Sequence, residues 1–182
     1  STTDEITIYP LPLVDFSPTE VCLNSLTEFT DESTVSNVYT SNQITEWAWD
    51  FADGNTSTAQ NPVHTYGVEG IYGVSLTVTT NHDCEATEVI DVSVFPNPYA
   101  DFDIDSVCVD LPSVFTDLST INTSFGDYIN AWNWSFGDGN TSTNSNPTHT
   151  YALENVYTVT LTVTSDKGCE HEVSKNTAIY PR

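Results

Sequence analysis

A stretch of aromatic and turn residues, W-A-W-D-F-A-D-G-N-T-S-T from Trp47 to Thr58, occurs again as W-N-W-S-F-G-D-G-N-T-S-T from Trp132 to Thr143. Each copy is followed at the same distance by N-P-x-H-T-Y, at Asn61–Tyr66 and Asn146–Tyr151. A pattern that returns with its internal spacing intact marks a chain built from repeated units, so two small domains are expected rather than one large one. Trp49 and Trp134 are 85 residues apart, whereas Cys22 and Cys108, like Phe29 and Phe115, are 86 apart, so one residue has been lost in the polar stretch between these landmarks. The expected organisation is residues 11–96 as the first domain and 97–182 as the second. Residues 1–10 read as the last strand of a preceding repeat or as an N-terminal cap. The D-E-I-T-I-Y-P run ending at Pro10 parallels I-D-V-S-V-F-P ending at Pro96 and N-T-A-I-Y-P ending at Pro181.

Within each unit the hydrophobic period is two. Val14 and Phe16, like Ala100 and Phe102, alternate into a first strand; Leu26–Asp31 and Ser113–Leu118 form a second, with Phe29 and Phe115 inward. Trp47, Trp49 and Phe51 share one face of a strand, as do Trp132, Trp134 and Phe136, so core packing is expected rather than an exposed sugar platform. Tyr72, Val74, Leu76 and Val78, and in the second copy Tyr157, Val159, Leu161 and Val163, face away from an alternating Gly/Ser/Thr side. The A-D-G-N and G-D-G-N segments supply the residues that turns need at positive φ. Glu32–Thr45 and Ser119–Asn130 are loops. No segment carries a helical period. The fold class is therefore all-β, two consecutive antiparallel β-sandwiches of immunoglobulin-like size.

The charge is lopsided: 26 acidic residues against Lys167, Lys175 and Arg182 give −23. No basic patch can hold a phosphate backbone, which excludes nucleic acid as a partner, and anionic lipid is disfavoured for the same reason. No apolar run is long enough for a membrane span. Cys22 and Cys84, and Cys108 and Cys169, occupy equivalent positions in the two copies. Zinc-ligand spacing is missing, so disulfides in an oxidising, exported setting are expected. A self-contained repeat most simply closes its own bridge, Cys22–Cys84 and Cys108–Cys169, for roughly 4 kcal/mol each. Spacing alone leaves a pairing across units open. Export also places a signal segment upstream or already removed.

The ordered set W-x-W-D-F-x-D-G-N-T-S-T, N-P-x-H-x-Y and G-x-Y-x-V-x-L-x-V resembles the PKD (polycystic kidney disease) domain pattern at Trp47–Val78 and at Trp132–Val163. The resemblance implies a sandwich of about seven strands in each unit. The structural motif residues it marks are Trp49, Phe51, Asp53, Gly54, His64, Tyr66 and Tyr72, then Trp134, Phe136, Asp138, Gly139, His149, Tyr151 and Tyr157. Two positions depart from it: Ala52 stands where the turn's first Gly is usual, and Ser135 replaces the preceding Asp. The cysteine-bearing version is similar to repeats of large bacterial surface adhesins and gliding-motility proteins. Other members of the family are accessories to secreted hydrolases.

Each chemically capable residue has a plain structural role to weigh. Asp53 and Asp138 read as Asx-type turn residues, with calcium ligation as the alternative. Asp101, Asp103 and Asp105 form the densest alternating acid run and are the other calcium candidates, near the junction. His64 and His149 recur inside the fold motif and read as hydrogen-bonding residues. Tyr72 and Tyr157 are expected to anchor a corner through their hydroxyls. Neither paired catalytic carboxylates, nor a nucleophile elbow, nor a phosphate loop is present. The expectation is a non-enzymatic, extracellular stalk of a cell-surface adhesin, without a cofactor beyond calcium. Neighbouring repeats are its partners, with surface polysaccharide or another surface protein beyond them; the alternative is a binding accessory of a secreted hydrolase.

Overall fold

Alternating aromatic and β-branched residues give mainly antiparallel strands, and no helix occurs among the described residues of the computed structural model, 8–36, 41–105 and 107–182. The chain divides into two units, Ser1–Val94 and Phe95–Arg182. The expected strand before Tyr9 falls largely in residues 1–7, outside the described residues, as do residues 37–40 of the first long loop.

In unit 1, β1 (Phe16–Pro18), β3 (Leu26–Asp31) and β6 (Val63–Thr65) form one sheet in the order β1-β3-β6. The second sheet runs β2-β8-β7-β4-β5, from β2 (Val21–Cys22), β8 (Glu85–Phe95), β7 (Gly70–Thr80), β4 (Ile44–Asp50) and β5 (Thr56–Ser57). Unit 2 repeats this with β9 (Phe102–Ile104), β10 (Pro112–Asp117) and β13 (Thr148–Thr150) in one sheet. Its other sheet holds β11 (Ile129–Ser135), β12 (Thr141–Ser142), β14 (Asn155–Ser165) and β15 (Glu170–Ile179), ordered β12-β11-β14-β15. In the place that β2 takes in unit 1, Cys108 makes an isolated parallel bridge to Tyr180. The tryptophan strands carry a register shift at the same point, between Ile44 and Glu46 and between Ile129 and Ala131, so even this irregularity belongs to the repeat.

Each core lies between its two sheets. Val14, just before β1, and Phe16 and Phe29 from the small sheet meet Trp49, Val74, Leu76, Val78, Val92 and Val94 from the large one. Their counterparts Ala100, Phe102, Phe115, Trp134, Val159, Leu161, Val163 and Ile179 do the same in unit 2. Trp49 and Trp134 are buried, while Trp47 and Trp132, nearer the strand starts, pack only in part against the cores.

The within-unit disulfides expected from the sequence do not form: Cys84 and Cys108, one member of each expected pair, carry thiols. The reason is strand geometry. Cys169 immediately precedes β15, and Cys108 bridges to Tyr180 just past its other end. Ten residues of strand at about 3.3 Å each separate the two by about 33 Å, whereas a disulfide needs Cα atoms within about 7 Å. In unit 1, Cys84 immediately precedes β8, and β2 with Cys22 lies hydrogen-bonded along that same strand.

Candidate functional site

The repeated signature folds into one aromatic column per unit. The His64 ring stacks on Phe51 with centroids 4.3 Å apart and meets the Tyr66 ring edge-on at 4.6 Å; Tyr66 stacks on Tyr72 at 4.1 Å. In unit 2, His149 stacks on Phe136 at 4.3 Å, and Tyr151 on Tyr157 at 4.2 Å. The polar tips are satisfied at the ends of the column. Tyr66 and Tyr151 hydroxyls donate to the carbonyls of Phe51 and Phe136; those of Tyr72 and Tyr157 donate back four residues to Val68 and Leu153. Trp49 Nε1 donates to Ala59 O and Trp134 Nε1 to Asn144 O, each at 2.9 Å. Burial pushes the Tyr66 and Tyr151 hydroxyls far above the ordinary tyrosine range, and the Asp53 and Asp138 charges add to this.

Asp53 and Asp138 close the turn as Asx residues, accepting from Asn55 N and Asn140 N at 3.0 Å. The second oxygen of each lies 2.7 Å from Nε2 of His64 or His149. Burial works to raise both carboxyls, but the hydrogen bonds from the histidine and from Asn55 or Asn140 overcome it and hold them below the usual range. An ionised carboxylate only accepts, so Nε2–H is the donor. The histidines thus bind the turn to β6 and β13 and are not left over for proton transfer.

A second hub was not visible in the sequence. Asp31, the last residue of β3, accepts Ser33 N at 2.9 Å on Oδ1, and both Trp47 Nε1 at 2.7 Å and Gln60 Nε2 at 3.1 Å on Oδ2. It ties the small sheet to the tryptophan strand of the large one. Asp117 receives Trp132 Nε1 and Ser119 N in the same way, but Ser145 stands where Gln60 does. Burial opposes the Asp31 charge, while the bonds from Ser33, Gln60 and Trp47 prevail and lower its pKa. A lowered folded-state pKa means that the unfolded chain binds protons more readily. The stability from Asp31, Asp53 and Asp138 is therefore complete above about pH 4 and drains as pH falls through their folded values. Asp31→Asn turns an NH2 toward one set of these donors. It is expected to cost about 1–2 kcal/mol at pH 7 in urea unfolding, with the gap to wild type closing toward pH 3. An unchanged gap at both pH values would contradict this role.

The structure separates the calcium candidates. Asp101 accepts Lys175 Nζ at 2.6 Å and Phe102 N at 2.9 Å, and the same ammonium donates to Phe102 O. The Lys175 hydrogen bond, against slight desolvation, holds the Asp101 carboxyl below its usual range. Asp103 accepts its neighbour's Ile104 N, and Asp53 and Asp138 are engaged with histidine. No group of three or more His, Cys, Asp or Glu placed to hold a metal ion occurs among the described residues. His82 and His171, uninformative in the sequence, also pack: His82 stacks on Tyr9 at 3.5 Å, and His171 Nδ1 accepts Ala100 N at 3.0 Å.

The first long loop leaves an open depression lined by Asp31, Ser33, Asn42, Gln43, Trp47 and Gln60. Asn42 and Asp127, equivalent in the two loops, are buried with no side-chain partner among the described residues.

Two consecutive immunoglobulin-like β-sandwiches with one shared internal signature define a tandem of repeat modules. The family model of the PKD domain matches residues 12–94 and again 96–179, and the chain belongs to that family, whose domains are non-catalytic modules. Collagenase ColA of Bacillus cereus is 41% identical over 56 residues, 31% of this chain and 6% of that protein. A microbial collagenase of Vibrio alginolyticus is 51% identical over 45 residues, 25% of this chain and 6% of that protein. The chain thus spans about 6% of the length of these relatives. Among solved structures, the PKD1 domain of the Vibrio cholerae metalloprotease PrtV is 31% identical, with a TM-score of 0.42, covering 46% of this chain and 98% of that one. Three N-terminal domains of the bacteriophage RB49 outer capsid protein Hoc share the fold at 10% identity and a TM-score of 0.54, over 94% of this chain and 70% of that one. No helix among the described residues is long and apolar enough to cross a membrane.

Proposed function

We propose that this chain is a non-catalytic spacer of a larger extracellular protein, one that holds and presents other parts of that protein at a bacterial cell surface, as in the stalk of an adhesin. One observation carries the reading: every chemically capable residue of the repeated signature is spent on the fold. Asp53 and Asp138 are bound by His64 and His149, the Trp49, Trp134, Tyr66 and Tyr151 tips by backbone carbonyls, and the Trp47 and Trp132 tips by Asp31 and Asp117. The net charge of −23 keeps such a stalk soluble and away from anionic surfaces.

A second reading, an accessory module of a secreted hydrolase with polysaccharide or protein as its target, is favoured by the two collagenase relatives. Co-sedimentation with fibrillar collagen and with insoluble polysaccharides separates the two. A spacer stays in the supernatant at physiological salt. Saturable retention, lost when Trp47 beside the depression is changed to alanine, would replace the spacer reading with the second.

A further inference from the structure

The hub around Asp31 serves the fold in both repeats, but the residues surrounding it differ. Unit 2 keeps Asp117, Ser119 and Trp132 in the same bonds, whereas the carboxamides Asn42, Gln43 and Gln60 of unit 1 give way to Asp127, Tyr128 and Ser145. A sandwich of this kind therefore folds without the three amides, and their gathering around one depression is not a demand of the fold. Asn42 is the most deeply buried residue of that depression, 3% exposed. Neither its Oδ1 nor its Nδ2 has a partner among the described residues. An amide left unpaired out of water costs stability. The backbone on either side holds it there all the same. Asn81 Oδ1 accepts Gln43 N at 3.0 Å, Asn81 N donates to Gln43 O at 2.9 Å, and Asn81 Nδ2 donates to Ser41 O at 2.6 Å.

The groups beside Asn42 are fixed as well. One oxygen of the Asp31 carboxylate takes both Trp47 Nε1 and Gln60 Nε2, which orients the indole and leaves Gln60 Oε1 to accept. The depression holds about 420 Å³, inside the range of about 300–1,000 Å³ usual for small-molecule sites. A second hollow of about 330 Å³, lined by Glu46 and Thr58, shares Trp47 and Gln60 with the first. The two adjoin at those side chains, so an occupant built of repeating units finds two neighbouring places. Carboxamides donate and accept from one group, which suits the adjacent hydroxyls of a sugar ring, while the indole suits its C–H face. Charge narrows the class. Unit 1 contains no lysine or arginine, so a uronate, sulfated or phosphorylated glycan meets no counter-charge there. Asp31 already accepts three hydrogen bonds and is not free to draw in a cation.

We propose that unit 1 carries a glycan site in which Asn42, Gln60 and Trp47 bind two consecutive residues of a neutral polysaccharide. Gln43, exposed at the rim, adds a fourth polar contact. Rotation of the Asn42 side chain brings its amide to the sugar hydroxyls, which give it the partners it lacks in the free protein. The inference deepens the second reading above and rests on it for the class of target. Unit 2, without the three amides, keeps the role of spacer alone.

Affinity electrophoresis of the full chain tests this, in native gels holding xyloglucan, galactomannan, laminarin or dextran, with polygalacturonate and gelatin gels beside them. At least one neutral glycan should retard the chain, and polygalacturonate should not. Trp47→Ala and Gln60→Ala should each weaken that retardation by about tenfold, while Trp132→Ala, the same change in unit 2, leaves it unaltered. Asn42→Leu keeps the shape and removes the polar atoms. It should abolish retardation and leave the urea midpoint of unit 1 unchanged or raised, whereas loss of a structural amide would lower it. A lowered midpoint would make Asn42 part of the fold and overturn its role. Retardation that survives both Trp47→Ala and Asn42→Leu would place binding elsewhere, refuting this site and sparing the second reading. No retardation by any neutral glycan would remove both and leave the spacer. Retardation by gelatin alone would give the groove to a polypeptide and refute the glycan assignment.

Discussion

Trp49→Ala is expected to unfold the first sandwich and leave the second standing. The indole is 2% exposed and sits between the sheets, 5.0 Å from the Phe16 ring and 5.5 Å from that of Phe29. Truncating a buried tryptophan costs about 3–5 kcal/mol, and here it also deprives the Ala59 carbonyl of its donor. A domain of this size has roughly 5–15 kcal/mol in total, so most of its stability goes. The damage stays local because the core around Trp49 holds only residues of its own unit, and the Trp134 core only those of the other. Urea unfolding followed by tryptophan fluorescence should show an early transition, moved down by roughly 2–3 M, and a late one in place. Trp134→Ala should exchange the two. A Trp49→Ala chain whose early transition does not move would mean that the tryptophan strand is not the centre of the fold. Trp47→Ala, at the half-buried start of that strand, should cost much less.

The sequence was legible where the physics is local. A period of two with large aromatics at Trp47, Trp49 and Phe51 can only be a strand with one face inward, and the alternation from Tyr72 to Val78 is just as direct. The turn chemistry of Asp53 and Asp138 was readable because an Asx bond spans two residues. Links between distant residues were not. The bond from Trp47 to Asp31 crosses from one sheet to the other, and Lys175 reaches Asp101 over 74 positions; nothing in either pair's neighbourhood signals the other. His64 was read as a hydrogen-bonding residue, yet its partner Asp53 emerges only once β6 is docked. The cysteines misled for the same reason. Equal spacing in two copies shows that four residues occupy two kinds of place, but not that those places lie at opposite ends of one long strand. Economy favoured closure within a repeat; strand length forbids it.

The turn where the two copies differ gives the second large effect. Gly137 has φ +80, and a Cβ built on it would stand 2.5 Å from the carbonyl oxygen of Thr158 and 3.1 Å from its nitrogen. Both contacts are with strand backbone, which cannot rotate aside as a side chain can. Gly137→Ala therefore combines a left-handed conformation that costs an L-residue about 1–2 kcal/mol with an overlap costing about 1–3 kcal/mol, and it should lower the stability of unit 2 by roughly 2–5 kcal/mol. Unit 1 already carries this substitution. Ala52 sits at φ 61, and the strand residue in register with Thr158 is Gly73, since Asp50 pairs with Ser75 as Ser135 pairs with Thr160. A glycine there leaves the strand free to adjust locally, at the cost of the stiffness that a threonine brings. Ala52→Gly should accordingly stabilise unit 1, by up to about 1 kcal/mol, because it removes the conformational strain and little overlap remains to relieve. Gly73→Thr should be tolerated better when combined with Ala52→Gly than when made alone, a coupling that a double-mutant cycle in urea reads directly. Equal and opposite effects at the two positions would mean that strain alone governs the turn. A markedly larger loss at Gly137 would assign the excess to the Thr158 backbone, and that is the outcome the geometry requires.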